Sequence, residues 1–456
     1  MRRKIYDRLL EWKYRKNHKS LIVKGQRQIG ETYIITKFAE ENYENCVKVD
    51  FSEEPDIGKV FEQNLNINRI VSEISLLKDA DVVPGSTLLF FDEIQECPLA
   101  RASLKYFTMD GRYDVVASGS LPGVVDARLR HTNDPPPLLP LGYEEHITMV
   151  SMDFEEFLWA VSFDTGRIDE VKKHIRERRE LGYAMCSVLS GHFRDYMIVG
   201  GMPEAVKAFV EEKSYRIAGQ VLDDILSTCR ADITRYNKGI NIVKTAECFN
   251  SIPSQLSQTN KKFTYSRIEP GSGSRNSAQK YMENLLWIQA AGYGNFCYAV
   301  NAPKIPLKMQ EVRDSFKVYL SDTGMLIRMI GLDAACAVLR EDTGFNEGSV
   351  TENIVAECLF KNGLSPRYYR KTNGENKMEI DFVIELNSEI FAIEVKSGKS
   401  RDAPSLHKVG RIFHIDRRIK FEKSDIYVDD DGIEHYPLFA SAFATELAKP
   451  MDGPDL

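Results

Sequence analysis

Gly25-Gln26-Arg27-Gln28-Ile29-Gly30-Glu31-Thr32 sets two glycines and a hydroxyl residue at the spacing of the phosphate-cradling loop G-x-x-x-x-G-K-[ST]. In that loop, backbone N–H groups and the start of the following helix wrap phosphate oxygens. Every fixed position matches except the lysine, which is Glu31 here. A lysine ammonium would attract the β and γ phosphates, so a carboxylate in its place removes an attraction and adds a repulsion. Two unit charges ~4 Å apart at an effective dielectric of ~20 interact by about 4 kcal/mol. Nucleotide affinity and turnover are therefore expected to fall steeply. The nucleotide-contacting set is Gly25, Gln28, Gly30, Glu31, Thr32 and Tyr33, for ATP or ADP with weakly held Mg2+.

Downstream, Leu88-Leu89-Phe90-Phe91-Asp92-Glu93 is an apolar run ending in two carboxylates. An aspartate so placed anchors Mg2+ and a glutamate orients the attacking water, which makes Glu93 the candidate base. Val115-Val116-Ala117-Ser118-Gly119-Ser120 ends another apolar run in small hydroxyl residues, suited to sensing a γ-phosphate through Ser118 or Ser120. Three such signals in order, each at the C-terminal end of an expected strand, reinforce one another.

A second constellation lies near the C-terminus. Glu379 to Glu385 and Ile390 to Lys396 alternate apolar and charged residues on either side of Asn387-Ser388. With those two residues as a hairpin turn, Asp381 faces Glu394 and Glu379 faces Lys396. Ile380, Phe382 and Ile384 then meet Val395, Ile393 and Phe391 in one apolar layer that fixes the register. Facing carboxylates with a lysine two residues on form the D…E-x-K pattern of PD-(D/E)xK nucleases, in which the acids hold Mg2+ and the lysine helps activate water. Asp381 and Glu394 are the candidate ligands, with Glu352 from a preceding helix and Lys396 beside them. Read without chemistry, the same charges are a solvated strand pair.

The elements that must position these residues follow from periodicity. Short apolar runs at Ser20 to Lys24, Cys46 to Phe51, Thr87 to Phe91, Tyr113 to Ser118 and His146 to Val150, with helical patterns between most of them, predict a parallel α/β sheet covered on both faces. Ile5, Leu9 and Trp12 predict a basic helix packed beside it. Residues 154–238 read as a helical lid, from apolar positions such as Phe154, Phe157, Leu158 and Val161 at helical spacing. A helix from Ile242 ended by Pro253, a turn at 271–274, a helix from Ser277 and two short strands give residues 239–335 the pattern of a winged helix. Its Lys261, Lys262, Arg267, Arg275, Lys280, Lys304, Lys308, Arg313 and Lys317 could contact DNA phosphates or simply form a solvated face. Residues 336–456 complete the nuclease-like α/β domain, after a P-loop NTPase domain over 1–153. Three consecutive prolines at 135–137 read as an exposed loop.

Composition excludes several classes. The 456 residues are 43 % hydrophobic and 28 % charged, an ordinary globular balance. No apolar run approaches the ~20 residues needed to cross a bilayer. The basic first twenty residues lack an apolar signal core, so a cytoplasmic location and no membrane partner are expected. A net charge of −7 argues against coating nucleic acid by overall charge. The eight cysteines offer no C-x-x-C pair for zinc.

With these residues in hand, the sequence resembles a group of bacterial and archaeal AAA-like ATPases, distantly similar to STAND-type NTPases. They join a P-loop domain to a C-terminal region of unknown function. The resemblance rests on Lys24 to Gly30, Leu89 to Glu96, Ser118 to Leu121, Phe154 to Trp159, Gly200-Gly201-Met202-Pro203-Glu204, Tyr319 to Gly324 and Thr351-Glu352-Asn353. It implies that Thr32 and Asp92 serve Mg2+, Glu93 acts as base and Ser118 or Ser120 as sensor. Glu31 departs from the family's lysine. The function expected is an ATP-binding regulatory or switch protein with weakened or lost hydrolysis. The alternatives are a Mg2+-dependent DNA-processing enzyme acting through the hairpin, or a DNA- or protein-binding scaffold.

Overall fold

The structure, a computed structural model, describes residues 1–120, 142–268, 275–340, 347–398 and 402–448, with residues 275–279 and 347 as helical backbone. The expected proline loop and the turn at 271–274 lie outside them. Two compact units emerge: Met1–Ser151 with Asp232–Gly239 and Leu286–Gly292, and Met152–Ala231 with Ile240–Leu285 and Tyr293–Leu456.

The first unit contains β1 (Ser20–Gly25), β2 (Asn45–Asp50), β3 (Thr87–Asp92), β4 (Asp114–Ser120) and β5 (Glu144–Met149), with helices α1 (Ile5–Tyr14), α2 (Glu31–Asn42), α3 (Ile67–Lys78) and α4 (Pro98–Asp110). Its strands run parallel in the order β2-β3-β4-β1-β5. All six residues of β3 are buried, as expected of a strand covered on both faces. Edge-on rings of Phe51, Phe61, Phe91 and Phe107 run through the core. Helix α1 buries Ile5, Leu9 and Trp12, as its spacing predicts. The last strand starts at Glu144 rather than His146, and Val150 lies beyond it, exposed. Because β3, β4 and β1 are consecutive neighbours, the chain segments leaving their C-terminal ends converge.

The second unit holds the helices α5 (Phe154–Ala160), α6 (Thr165–Glu177), α7 (Tyr183–Val199), α8 (Pro203–Glu212) and most of α9 (Tyr215–Tyr236). Next come α10 (Ile240–Leu256) and α11 (Arg275–Ala290), whose end joins the first unit. The strands β6 (Gly294–Val300) and β7 (Glu311–Leu320) lead to α12 (Thr323–Ile330), α13 (Leu332–Arg340) and α14 (Glu347–Lys361). Last are β8 (Arg367–Lys371), β9 (Met378–Leu386), β10 (Glu389–Val395), α15 (Pro404–Phe413), β11 (Arg417–Glu422), β12 (Tyr427–Val428) and β13 (Glu434–Pro437). These eight strands form one mixed sheet, β12-β13-β11-β10-β9-β8-β6-β7.

One expectation is corrected here. Pro253 does not end α10, which continues to Leu256: so near the end the missing N–H costs one bond, and Gln255 clasps the Thr264 backbone N–H and carbonyl at 3.0 Å each. Residues on the two sides of the border expected at 335/336 share one sheet, because β6 pairs in parallel with β8.

The glycine and acid motifs of this unit meet in a buried polar junction. The Asp322 carboxylate caps α12 at the Met325 N–H, 3.2 Å, and accepts the Gly201 N–H at 2.8 Å. Gly324 lies against Gly200, where a Cβ would come within 2.6 Å of backbone nitrogen. Glu357 accepts both the Thr323 N–H and hydroxyl at 2.6 Å and is paired with Lys361 at 2.6 Å. Asn353 ties α14 to the end of β7 by accepting the Leu320 N–H at 2.9 Å. Asp322, Asn353 and Glu357 therefore serve packing, each buried and hydrogen-bonded within the junction.

Candidate functional site

The loop between β1 and α2 has the backbone a phosphate cradle needs. Gln28 and Gly30 adopt left-handed conformations at φ 64° and 89°, and Gly30 precedes the helix without a capping side chain. Gly25 has no room for a Cβ, which would sit 2.0 Å from Ile29 Cδ1 and 2.7 Å from the Met149 carbonyl oxygen. Buried Arg3 fastens the loop by donating to the Ile29 carbonyl at 3.0 Å and the Val150 carbonyl at 2.6 Å. Arg27 is held by Asp232 at 2.7 Å and the Tyr236 hydroxyl at 3.2 Å. Tyr33 is exposed.

The structure brings Thr32, Asp92, Glu93 and Ser118 together. The Thr32 hydroxyl lies 3.2 and 3.0 Å from the two Asp92 carboxylate oxygens, and the Ser118 hydroxyl donates to Oδ1. Glu93, at φ 54°, donates its N–H to Ser118 Oγ at 3.3 Å, while its carboxylate accepts from Gln95. Ser120 is buried with an unpartnered hydroxyl. One residue was missed by sequence reasoning: the Lys48 ammonium, from β2, stands 2.7 Å from Asp92 Oδ2 and 3.2 Å from Asp50 Oδ2. Its signal was the placement of Lys48 and Asp50 two apart on a strand, but the strand order had to be known to aim them at Asp92. Asp50 pairs with Asp92 across β2 and β3.

Glu31 is the first residue of α2 and only partly exposed. Burial pushes its carboxyl up to about 8; its own backbone N–H and Arg3 oppose this, while Glu93 and Asp92 add to it. Most of the population is therefore neutral at pH 7, which mutes the expected repulsion without restoring the lost attraction. Burial also raises Glu93, against the pull of Gln95 and Arg27.

The hairpin forms in the expected register, with Glu389 opposite Leu386 through Ile393 opposite Phe382. Asn387 and Ser388 turn at φ 50° and 61°. One further step sets Glu394 opposite Asp381, whose Oδ2 accepts the Val395 N–H at 2.9 Å. Burial pushes Asp381 up to about 7, Glu352 adds to this, and Lys317 and Lys261 oppose it. Lys396 pairs with Glu394 at 2.6 Å rather than with Glu379, which meets Arg370 and Lys317, each at 3.4 Å. Glu394 Oε2 is buried without a hydrogen-bond partner.

Glu352 lies in the same charge cluster, held by cations. Lys317, buried on β7, holds it at 3.0 Å, and Lys261 and the Tyr319 hydroxyl also donate to it. Burial would raise this carboxyl, but the two lysines and the hydrogen bonds overcome it and hold it at about 2. Among the described residues no three acidic, histidine or cysteine side chains converge to hold a metal. Glu352 stands near enough to raise Asp381, but its own oxygens are held by two lysines, so Asp381, Glu394 and Glu352 do not converge as a ligand trio. Lys261 and Lys317, read as DNA-phosphate contacts or as part of a solvated face, are the same two residues; the Arg275 side chain lies outside those described.

Three domain families match. An AAA domain covers residues 17–158, a domain of unknown function (DUF8612) residues 190–335, and a second (DUF4143) residues 347–439. No curated protein matches the chain. Among solved structures, the chain is similar to the Walker-type ATPase PABY2304 of Pyrococcus abyssi, at 13 % identity over 72 % of this chain and 95 % of that one, TM-score 0.41. It is also similar to the Aeropyrum pernix ORC1 protein in complex with DNA, at 11 % identity over 74 % and 91 %, TM-score 0.28. The Thermotoga maritima RuvB Holliday junction branch migration motor gives 13 % over 64 % and 89 %, TM-score 0.28. Such distant likenesses add nothing to what the sheet itself shows. The loop, the paired acids at the end of β3 and the matching family together make the N-terminal part of this chain an AAA-like P-loop ATPase domain with ATP-binding potential.

Proposed function

We propose that the chain is an ATP-binding AAA-like switch protein whose hydrolysis is weakened or lost. The observation that carries this is Glu31 at the first turn of α2, where a P-loop places its lysine, above an otherwise intact cradle. Backbone N–H groups of Gln28 to Thr32 would bind the phosphates, Glu93 would orient water and Ser118 would report the γ-phosphate through Asp92. The Thr32 hydroxyl and Asp92 carboxylate have the oxygen chemistry Mg2+ requires, but the Lys48 ammonium already pairs with Asp92, so Mg2+ would supply charge neutralisation at the phosphates only by displacing it. Without a lysine ammonium on the transferring phosphoryl group, binding outlasts turnover, which is what a switch requires.

Isothermal titration with Mg-ATP and a phosphate-release assay on the native chain and on Glu31→Lys test this. The variant should bind at least about tenfold tighter and hydrolyse faster. Equal tight binding and equal turnover by both would overturn the reading.

A second reading, metal-dependent DNA processing at Asp381 and Glu394, is favoured by the unpartnered Glu394 Oε2 beside Asp381. Two facing carboxylates, one with an open lone pair, suit a cation. Cleavage of duplex or single-stranded DNA with Mg2+ or Mn2+, lost in Asp381→Ala, would support it; activity that survives the substitution lies elsewhere.

A further inference from the structure

The acid end of the nucleotide site carries its own cation. Both oxygens of the buried Asp92 carboxylate are occupied: Oδ1 by the Thr32 and Ser118 hydroxyls, Oδ2 by Thr32 at 3.0 Å and the Lys48 ammonium at 2.7 Å. Asp50, the last residue of β2 and on the same face as Lys48, also holds the ammonium, at 3.2 Å. The Lys48 side chain as a whole is more than a third exposed, so the pair lies at the margin of the fold and not deep within it. Thus the positive charge missing at position 31 reappears on the neighbouring strand, at the aspartate that would anchor Mg2+.

We propose that Lys48 serves as the resident cation of the nucleotide site, taking the place of Mg2+ at Asp92, so that nucleotide binds without a divalent metal. This rests on the nucleotide-binding reading above. A tethered ammonium costs no metal recruitment, and it neutralises Asp92 where a free carboxylate would repel phosphate. To enter, a divalent ion would have to break the Lys48 ion pair and then meet a second positive charge nearby. Hydrolysis would suffer for the same reason, because an ammonium is a point charge that does not bridge two phosphate oxygens as Mg2+ does.

Titration of the native chain, Lys48→Ala and Lys48→Arg with ADP and with ATP, each in excess EDTA and in Mg2+, tests the assignment. The native chain and Lys48→Arg should show dissociation constants within about threefold of each other with and without metal. Lys48→Ala should lose at least about tenfold in EDTA and regain most of it with Mg2+. A native chain whose binding collapses on chelation, or a Lys48→Ala variant that stays indifferent to metal, overturns the proposal. If the native chain binds neither nucleotide, the switch reading falls, and Mn2+ titration of the ligand-free protein by electron paramagnetic resonance decides Lys48 alone. Lys48→Ala should then gain a Mn2+ site that Lys48→Ala with Asp92→Asn lacks; no gain overturns it.

Discussion

At the scale of single residues, Glu31 is the acid whose charge decides most. Its carboxyl ordinarily titrates near 4.5 and is pushed up to about 8 in the fold. Between those values the unfolded chain has released a proton that the folded chain still binds, so stability falls as pH rises from 4.5 toward 8 and levels off above. Glu31→Gln should therefore be more stable than the native chain at alkaline pH, by on the order of 1–3 kcal/mol after discounting for partial exposure, and equal to it at acidic pH. Thermal melts across that range read the difference; a native chain with no pH slope that the glutamine removes would refute it. Nucleotide affinity should also weaken as pH rises through about 8 in the native chain and not in the variant. The residues of this site were legible because glycines, hydroxyls and acids stood at strand ends in a fixed order. Lys48 was not, since nothing local ties it to Asp92 until β2 and β3 are known to be neighbours.

At the scale of elements, the β9–β10 hairpin was readable to the residue. A strict alternation with one apolar face admits one register, and a one-residue slip would turn Asp381 and Glu394 into the apolar layer that Phe382 and Ile393 now fill. The turn is less well made than the strands. Asn387 and Ser388 both sit at positive φ, 50° and 61°, the geometry of a type I′ turn, in which the second position favours glycine. Ser388→Gly should stabilise the protein by about 0.5–1 kcal/mol, seen as a higher denaturant midpoint with an unchanged m-value. A lower midpoint would mean that Ser388 makes a contact worth more than its strain. What the hairpin could not reveal was its neighbour. Lys317 read as one of nine basic residues on a wing, yet β6 and β7 join the sheet and turn it inward to Glu352 and Glu379. Pairing between strands far apart in sequence carries no local signature, so the charge set of that site was invisible from either strand alone.

At the scale of the whole chain, sequence patterns suggested four consecutive domains, whereas the compact units interleave. The first unit takes in Asp232–Gly239, the end of a helix that otherwise belongs to the second. Those residues partner the phosphate loop region: Asp232 meets Arg27 at 2.7 Å, Tyr236 accepts from Arg27 at 3.2 Å, and Arg235 pairs with Glu96 at 2.8 Å. Asp232 is buried, so its removal leaves the Arg27 guanidinium half-covered without its counter-charge. Asp232→Ala should cost about 1–3 kcal/mol in the unfolding transition that carries the nucleotide unit, and Arg27→Ala alone should cost less than the pair's deletion cycle would sum to. A fragment cut at residue 153, the border read from sequence, lacks all three partners and should melt below the same unit in the intact chain. Differential scanning calorimetry of the fragment, the intact chain and Asp232→Ala compares them directly. A fragment as stable as the intact unit would show that the helix end is a passenger on the P-loop unit and not part of what holds Arg27 and its loop in place.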